Sequence, residues 1–79
     1  MQTEDIKKAY QAHMLPTYAP YNAVLVKGSG CLSTDIDGKT YLDFGSGIGV
    51  NALGYCDPDW VQAVSKQAAQ LQHTSNLYY

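Results

Sequence analysis

Asp35, Asp37 and Asp43 are candidates for acid–base work, Ser46 and Ser75 for a nucleophile, and His13, His73, Cys31 and Cys56 for holding a metal. Asp35 and Asp37 flank a turn, where aspartate commonly hydrogen-bonds the backbone, and no base, nucleophile or metal pattern stands beside them. A structural role is expected for all three aspartates. The serines have no evident histidine partner, which argues against a hydrolase. No two of the histidines and cysteines stand at ligand spacing and there is no C-x-x-C, so no metal site is expected. Gly47-Ile48-Gly49-Val50-Asn51-Ala52 matches G-x-G-x-x-A, the dinucleotide-binding pattern. That chemistry requires the glycines to open a helix whose N-terminus meets a pyrophosphate. Here Gly54 and Pro58 hold the next helix off, and no acidic residue after Asp59 is present to bind a ribose hydroxyl. The run reads instead as a tight loop whose glycines permit unusual dihedrals or the close approach of something bulky.

The elements that must position this loop follow from patterning. Thr3 is expected to cap a first helix, with Glu4 and Asp5 in its positive first turn. Ile6, Tyr10, His13 and Met14 fall on one face at spacings of three and four, and Pro16 and Pro20 end the helix. Residues 23–26 are β-prone and lead into Gly28-Ser29-Gly30; residues 31–36 form a second short run; Asp37-Gly38 is a turn signal; residues 40–44 form a third strand. Three short strands joined by tight turns make an antiparallel meander. After the glycine loop, Asp57 is an N-cap, Pro58 suits the first helical position and Asp59 sits in the first turn. Trp60, Val61, Val64, Ala68 and Leu71 make the stripe expected to be buried, and the helix should fade near His73, whose side chain is expected to meet terminal carbonyls. The fold class is therefore α+β.

Composition narrows the function classes. Nearly half of the 79 residues (46%) are hydrophobic and no segment is low-complexity, so a folded chain is expected. A chain this short buries a small fraction of its surface, which makes it marginal without partners. The five cations are scattered lysines, with no arginine, so the clustered charge a nucleic-acid surface needs is missing. The longest apolar run, residues 23–26, cannot span a membrane, and the N-terminus lacks a signal-peptide pattern. Cys31 and Cys56 are expected to be free thiols of a cytoplasmic protein. The chain stops at Leu77-Tyr78-Tyr79, where independent domains usually finish in polar residues, so it is expected to be cut from something longer.

Three stretches, taken in order and spacing, carry a resemblance. Residues 35–44, DIDGKTYLDF, resemble the strand–turn–strand near the start of class III aminotransferases. Residues 46–54, SGIGVNALG, followed by Pro58, resemble their next loop and helix start. Residues 70–79, QLQHTSNLYY, resemble a segment of the acetylornithine type. The resemblance runs over residues 18–79. It implies the N-terminal piece of a fold-type I aminotransferase of several hundred residues, an obligate homodimer that uses pyridoxal 5′-phosphate bound through a lysine Schiff base in its large domain. Residues 1–79 would be the N-terminal, small-domain portion, with no complete catalytic domain. The implied reaction moves an amino group between N-acetylornithine and 2-oxoglutarate, a step of arginine biosynthesis. Lys66 has no motif match to the catalytic lysine, so the piece alone is expected to be inactive and to bind no cofactor.

The resemblance also implies site residues. The loop at Ser46, Gly47 and Ile48 corresponds to one that borders the substrate, and ornithine δ-aminotransferases place a substrate-contacting tyrosine where this chain has Ile48. Tyr79 matches an aromatic position near the substrate entrance. The chain departs from many relatives in having Tyr55 and Asp57 where they carry histidines. Two alternatives stand beside this reading: an ornithine or 4-aminobutyrate aminotransferase fragment, and a small freestanding module whose meander binds a peptide.

Overall fold

The computed structural model describes all 79 residues: two helices and a three-stranded antiparallel sheet, in the order α1 (Thr3–His13), β1 (Leu25–Ser29), β2 (Leu32–Asp35), β3 (Thr40–Leu42) and α2 (Pro58–Gln70). α1 begins one residue earlier than its cap was expected. Gln2 occupies the N-cap position, and its backbone N–H donates to the Asp5 carboxylate at 2.9 Å. Thr3 is thus inside the helix, and its hydroxyl donates to Asp37 at 3.1 Å. Met14 leaves the helical region before Pro16 is reached. α2 starts as its sequence dictates: the Asp57 carboxylate accepts from the Trp60 N–H at 3.1 Å and Pro58 takes the first turn.

The sheet order is β1-β2-β3. Leu32 pairs with Leu42, Ser33 with Tyr41 and Thr34 with Thr40, closed by the turn at Asp37-Gly38, where Gly38 has φ of 90°. β1 lies further along the chain than the apolar run suggested. Ser29 pairs with Leu32, so the strand continues through Gly28 and the reversal falls on Gly30 and Cys31. An irregularity between Leu25 and Lys27 loosens the start of that strand. β3 stops two residues short of Phe44. The Asp43 carboxylate turns forward onto the next amides instead of leaving the backbone to continue the ladder.

The stripe on α2 is not buried. Trp60 is 55% exposed, and Val61, Val64, Ala68 and Leu71 are exposed with it. An amphipathic helix buries its face only against another element, and neither helix packs on the sheet or on the other helix. No hydrophobic side chain is buried anywhere; the two buried residues, Ser33 and Asp35, are polar. The radius of gyration is 16.5 Å, against about 12 Å for a compact chain of this length. What the fold does build well is the meander and the loop docked on it.

Candidate functional site

Asp35 lies at the end of β2 and is 7% exposed. One carboxylate oxygen accepts from the N–H groups of Asp37 and Lys39 at 3.0 and 2.9 Å, and the other from the Tyr41 phenol at 2.8 Å. The Tyr41 bond, with the two amides and the Lys39 charge, holds the Asp35 carboxyl below the usual carboxylate range. The same bond raises the Tyr41 phenol above its ordinary value. This arrangement staples the β2–β3 turn, as expected for aspartates at such a turn.

Asp43 organises the loop. Its Oδ1 accepts from the N–H groups of Gly45 and Ser46 at 2.8 and 3.0 Å, and its Oδ2 accepts from the Tyr55 phenol. The Tyr55 bond, followed by the Ser46 and Gly45 amides, lowers the Asp43 carboxyl. The Tyr55 phenol is raised, first by Asp43, with the Ser33 hydroxyl pulling weakly the other way. Tyr55 also ties its backbone to the β1–β2 reversal: it donates to the Gly30 carbonyl at 2.8 Å and accepts from the Gly30 N–H at 3.1 Å. Its ring lies directly over Gly28. A Cβ built at that glycine would stand 2.6 Å from Tyr55 Cγ, so only glycine permits this approach.

Between Asp43 and Tyr55 the backbone takes an unusual path. Ser46, Gly47, Ile48 and Gly49 all have positive φ, at 55°, 58°, 59° and 85°. A β-branched residue in that region is a genuine outlier, and the left-handed conformation costs roughly 1–2 kcal/mol per non-glycine residue. The path is held from within by Ile48 N–H to Gly45 O at 3.0 Å and Asn51 N–H to Ser46 O at 2.9 Å, and from outside by Asp43. It presents Ile48 with 98% of its surface exposed. Backbone strain of this kind persists only where the surrounding structure over-determines it.

The four expected site residues are only partly brought together. Gly47 and Ile48 line one groove, with Tyr21, Leu25, Tyr41 and Tyr55 among its walls. Ser46 lines the neighbouring groove with Asp43 and Asn51. Tyr79 is exposed at the chain end and lines neither. No lysine or arginine lines either groove. Lys7 pairs with Glu4 at 3.2 Å, and Lys39 stands 5.2 Å over the Tyr41 ring. His73 lies beyond α2, where Gln67, not His73, donates to the Leu71 carbonyl at 2.7 Å. Cys31 and Cys56 are free, and no group of three or more His, Cys, Asp or Glu residues could hold a metal. No helix is long and apolar enough to cross a membrane. Sequence reasoning missed Tyr55 as an organising residue. Its signal was limited to the spacing of an aspartate after a strand and a tyrosine after Gly54.

Comparison with known proteins places this geometry. The family model described as aminotransferase class III matches residues 14–79. The chain is 49% identical over all its 79 residues to the acetylornithine aminotransferase of Haemophilus ducreyi, covering 20% of that protein. It is 52% identical over 75 residues, 95% of the chain, to the acetylornithine aminotransferase of Methanocaldococcus jannaschii, covering 18% of it. Among solved structures, the acetylornithine aminotransferase of Elizabethkingia anophelis superposes with a TM-score of 0.95 at 32% identity, over 100% of this chain and 21% of that one. The ornithine aminotransferase of Toxoplasma gondii, described with pyridoxal phosphate in partial occupancy at its active site, gives 0.93 at 31% identity over 99% of this chain and 18% of its own. The chain thus spans about a fifth of the length of the curated relatives it matches.

Proposed function

We propose, because the chain belongs to the class III aminotransferase family, that it is the N-terminal, small-domain portion of a cytoplasmic enzyme that moves an amino group between N-acetylornithine and 2-oxoglutarate. The observation that carries the substrate is the identity of about one half to acetylornithine aminotransferases from two organisms. Structural likeness does not separate substrates, since an ornithine aminotransferase superposes almost as well.

Class III aminotransferases depend on pyridoxal phosphate, which supplies the electron sink for the transfer when bound. The grooves at the loop do not fit the anchoring of that group: they offer no cation for its phosphate and no lysine for its aldehyde. In this reading the anchors come from the remainder of the chain, and the whole enzyme is a homodimer. Residues 1–79 contribute a wall. Ser46 and Gly47 set the loop's path, Ile48 supplies an apolar surface and Tyr79 an aromatic edge near the entrance. An apolar wall favours the neutral acetylated end of acetylornithine over a bare ammonium, because burying an unpaired charge costs on the order of several kcal/mol.

The test expresses the whole reading frame that continues through these residues and measures transfer to 2-oxoglutarate from N-acetylornithine, ornithine and 4-aminobutyrate. We expect kcat/KM for N-acetylornithine to exceed the others by at least about tenfold. A preference for ornithine or 4-aminobutyrate would discard the substrate, and no transfer from any amine would discard the activity. Residues 1–79 alone are expected to show neither transfer nor a lysine-bound cofactor band. A band that survives dialysis and vanishes in Lys66→Ala would overturn that expectation.

A further inference from the structure

We infer that Asp43 and Tyr55 form a positioning pair that holds Ile48 in its left-handed presentation, so that selectivity at the loop depends on a hydrogen bond made away from the substrate-facing side chain. The inference rests on the functional reading above for Ile48 as a wall, and goes beyond it in naming what sets the wall.

Ile48 sits at φ of 59° with its side chain 98% exposed, anchored only through its N–H, which donates to the Gly45 carbonyl at 3.0 Å. Left alone, a β-branched residue would relax toward the β region. What opposes relaxation, beside the loop's own bonds from Ile48 N–H to Gly45 O and from Asn51 N–H to Ser46 O, is the entry to the loop, where one Asp43 oxygen takes the Gly45 and Ser46 amides. That oxygen is aimed because the other is fixed by the Tyr55 phenol. Tyr55 is in turn fixed on three sides: by its backbone exchange with Gly30, by its ring against Gly28 and by its reach to Asp43. The chain of constraint therefore runs from β1 through Tyr55 and Asp43 to the amides that start the left-handed run.

The experiment uses the full-length enzyme with Tyr55→Phe, Ile48→Ala and the Tyr55→Phe/Ile48→Ala double variant. Two quantities are read: the ratio of kcat/KM for N-acetylornithine to that for ornithine, and amide hydrogen exchange of the peptide covering residues 44–51. Tyr55→Phe should lower the ratio roughly three- to tenfold, through KM with kcat within about twofold, and should speed exchange in that peptide. In the Ile48→Ala background, Tyr55→Phe should leave the ratio within about 1.5-fold, because the pair acts through Ile48. An equal effect of Tyr55→Phe in both backgrounds, or unchanged exchange at residues 44–51, would overturn the inference. Should Tyr55→Phe not yield folded protein, Asp43→Ala is read by the same two measurements. If the enzyme accepts neither ornithine nor its acetylated form, the substrate reading falls, and the exchange measurement still decides whether the pair holds the loop.

Discussion

At the scale of single residues the loop carries two expectations. Ile48→Tyr in the complete enzyme replaces the proposed apolar wall by a phenol able to hydrogen-bond a charged group. It should shift preference toward free ornithine by about tenfold in the ratio of specificity constants. An unchanged ratio in folded protein would leave Ile48 as packing only. The second concerns pH. Folding lowers the Asp43 carboxyl and raises the Tyr55 phenol, each chiefly through their shared bond. A carboxylate lowered by folding contributes stability that is fully present above its unfolded pKa and is lost as pH falls through its folded value. A phenol raised by folding contributes stability that is fully present below its unfolded pKa and is lost as pH rises through its folded value. The difference in Tm between wild type and Tyr55→Phe should therefore be widest between the carboxylate and phenol ranges and narrow at both ends. A difference constant with pH would show that the bond does not couple the ionisation of the two groups to stability. A structural role for Asp43 was legible in the sequence, but its pairing with Tyr55 was not. Asp43 and Tyr55 stand 12 positions apart with no periodicity joining them, and their meeting depends on the ring crossing Gly28, on a different strand.

At the scale of elements, the place to test is that crossing. Gly28→Ala puts a Cβ 2.6 Å from Tyr55 Cγ, against the stiff part of the ring rather than a flexible tip. Overpacking of this kind typically costs about 1–3 kcal/mol. Thermal denaturation of the full-length variant should show a lower Tm, and an unchanged one would mean that Tyr55 yields without loss. The elements legible in the sequence are those specified by neighbours in the chain. Asp57-Pro58 starts α2 because the cap and the fixed φ act within four residues. Asp37-Gly38 turns β2 into β3 because Gly38 adopts φ of 90° and Asp35 gathers the turn amides. The boundaries that moved were decided by competition. Asp5 reached back to Gln2 and displaced Thr3 as the cap. β1 slid past its apolar run because the two-residue reversal at Gly30 and Cys31 sets the register from the turn outward. The stripe on α2 is correctly patterned for packing, and in residues 1–79 it stays exposed because nothing within the chain covers it.

At the scale of the whole molecule, that uncovered surface is the dominant fact. The accessible area is 7228 Å², whereas a compact monomer of this mass would expose about 4,700 Å². The excess, roughly 2,500 Å², is in the range of a permanent interface. Residues 1–79 alone should therefore bind a hydrophobic dye and self-associate in solution. A monodisperse monomer with sharp cooperative unfolding would support instead a freestanding module. The same separation of parts has a kinetic side. Every strand pairing in the meander joins residues no more than ten apart in sequence, from Leu25 with Asp35 to Thr34 with Thr40. Contacts this local close quickly, whereas the apolar faces of α1 and α2 gain nothing until distant surfaces arrive. In refolding of the complete enzyme, pulse-labelled amides of β1, β2 and β3 should gain protection before those of α2, and the reverse order would contradict it. The meander then serves as a template in time as well as in space, set before the surfaces that will cover the helices exist.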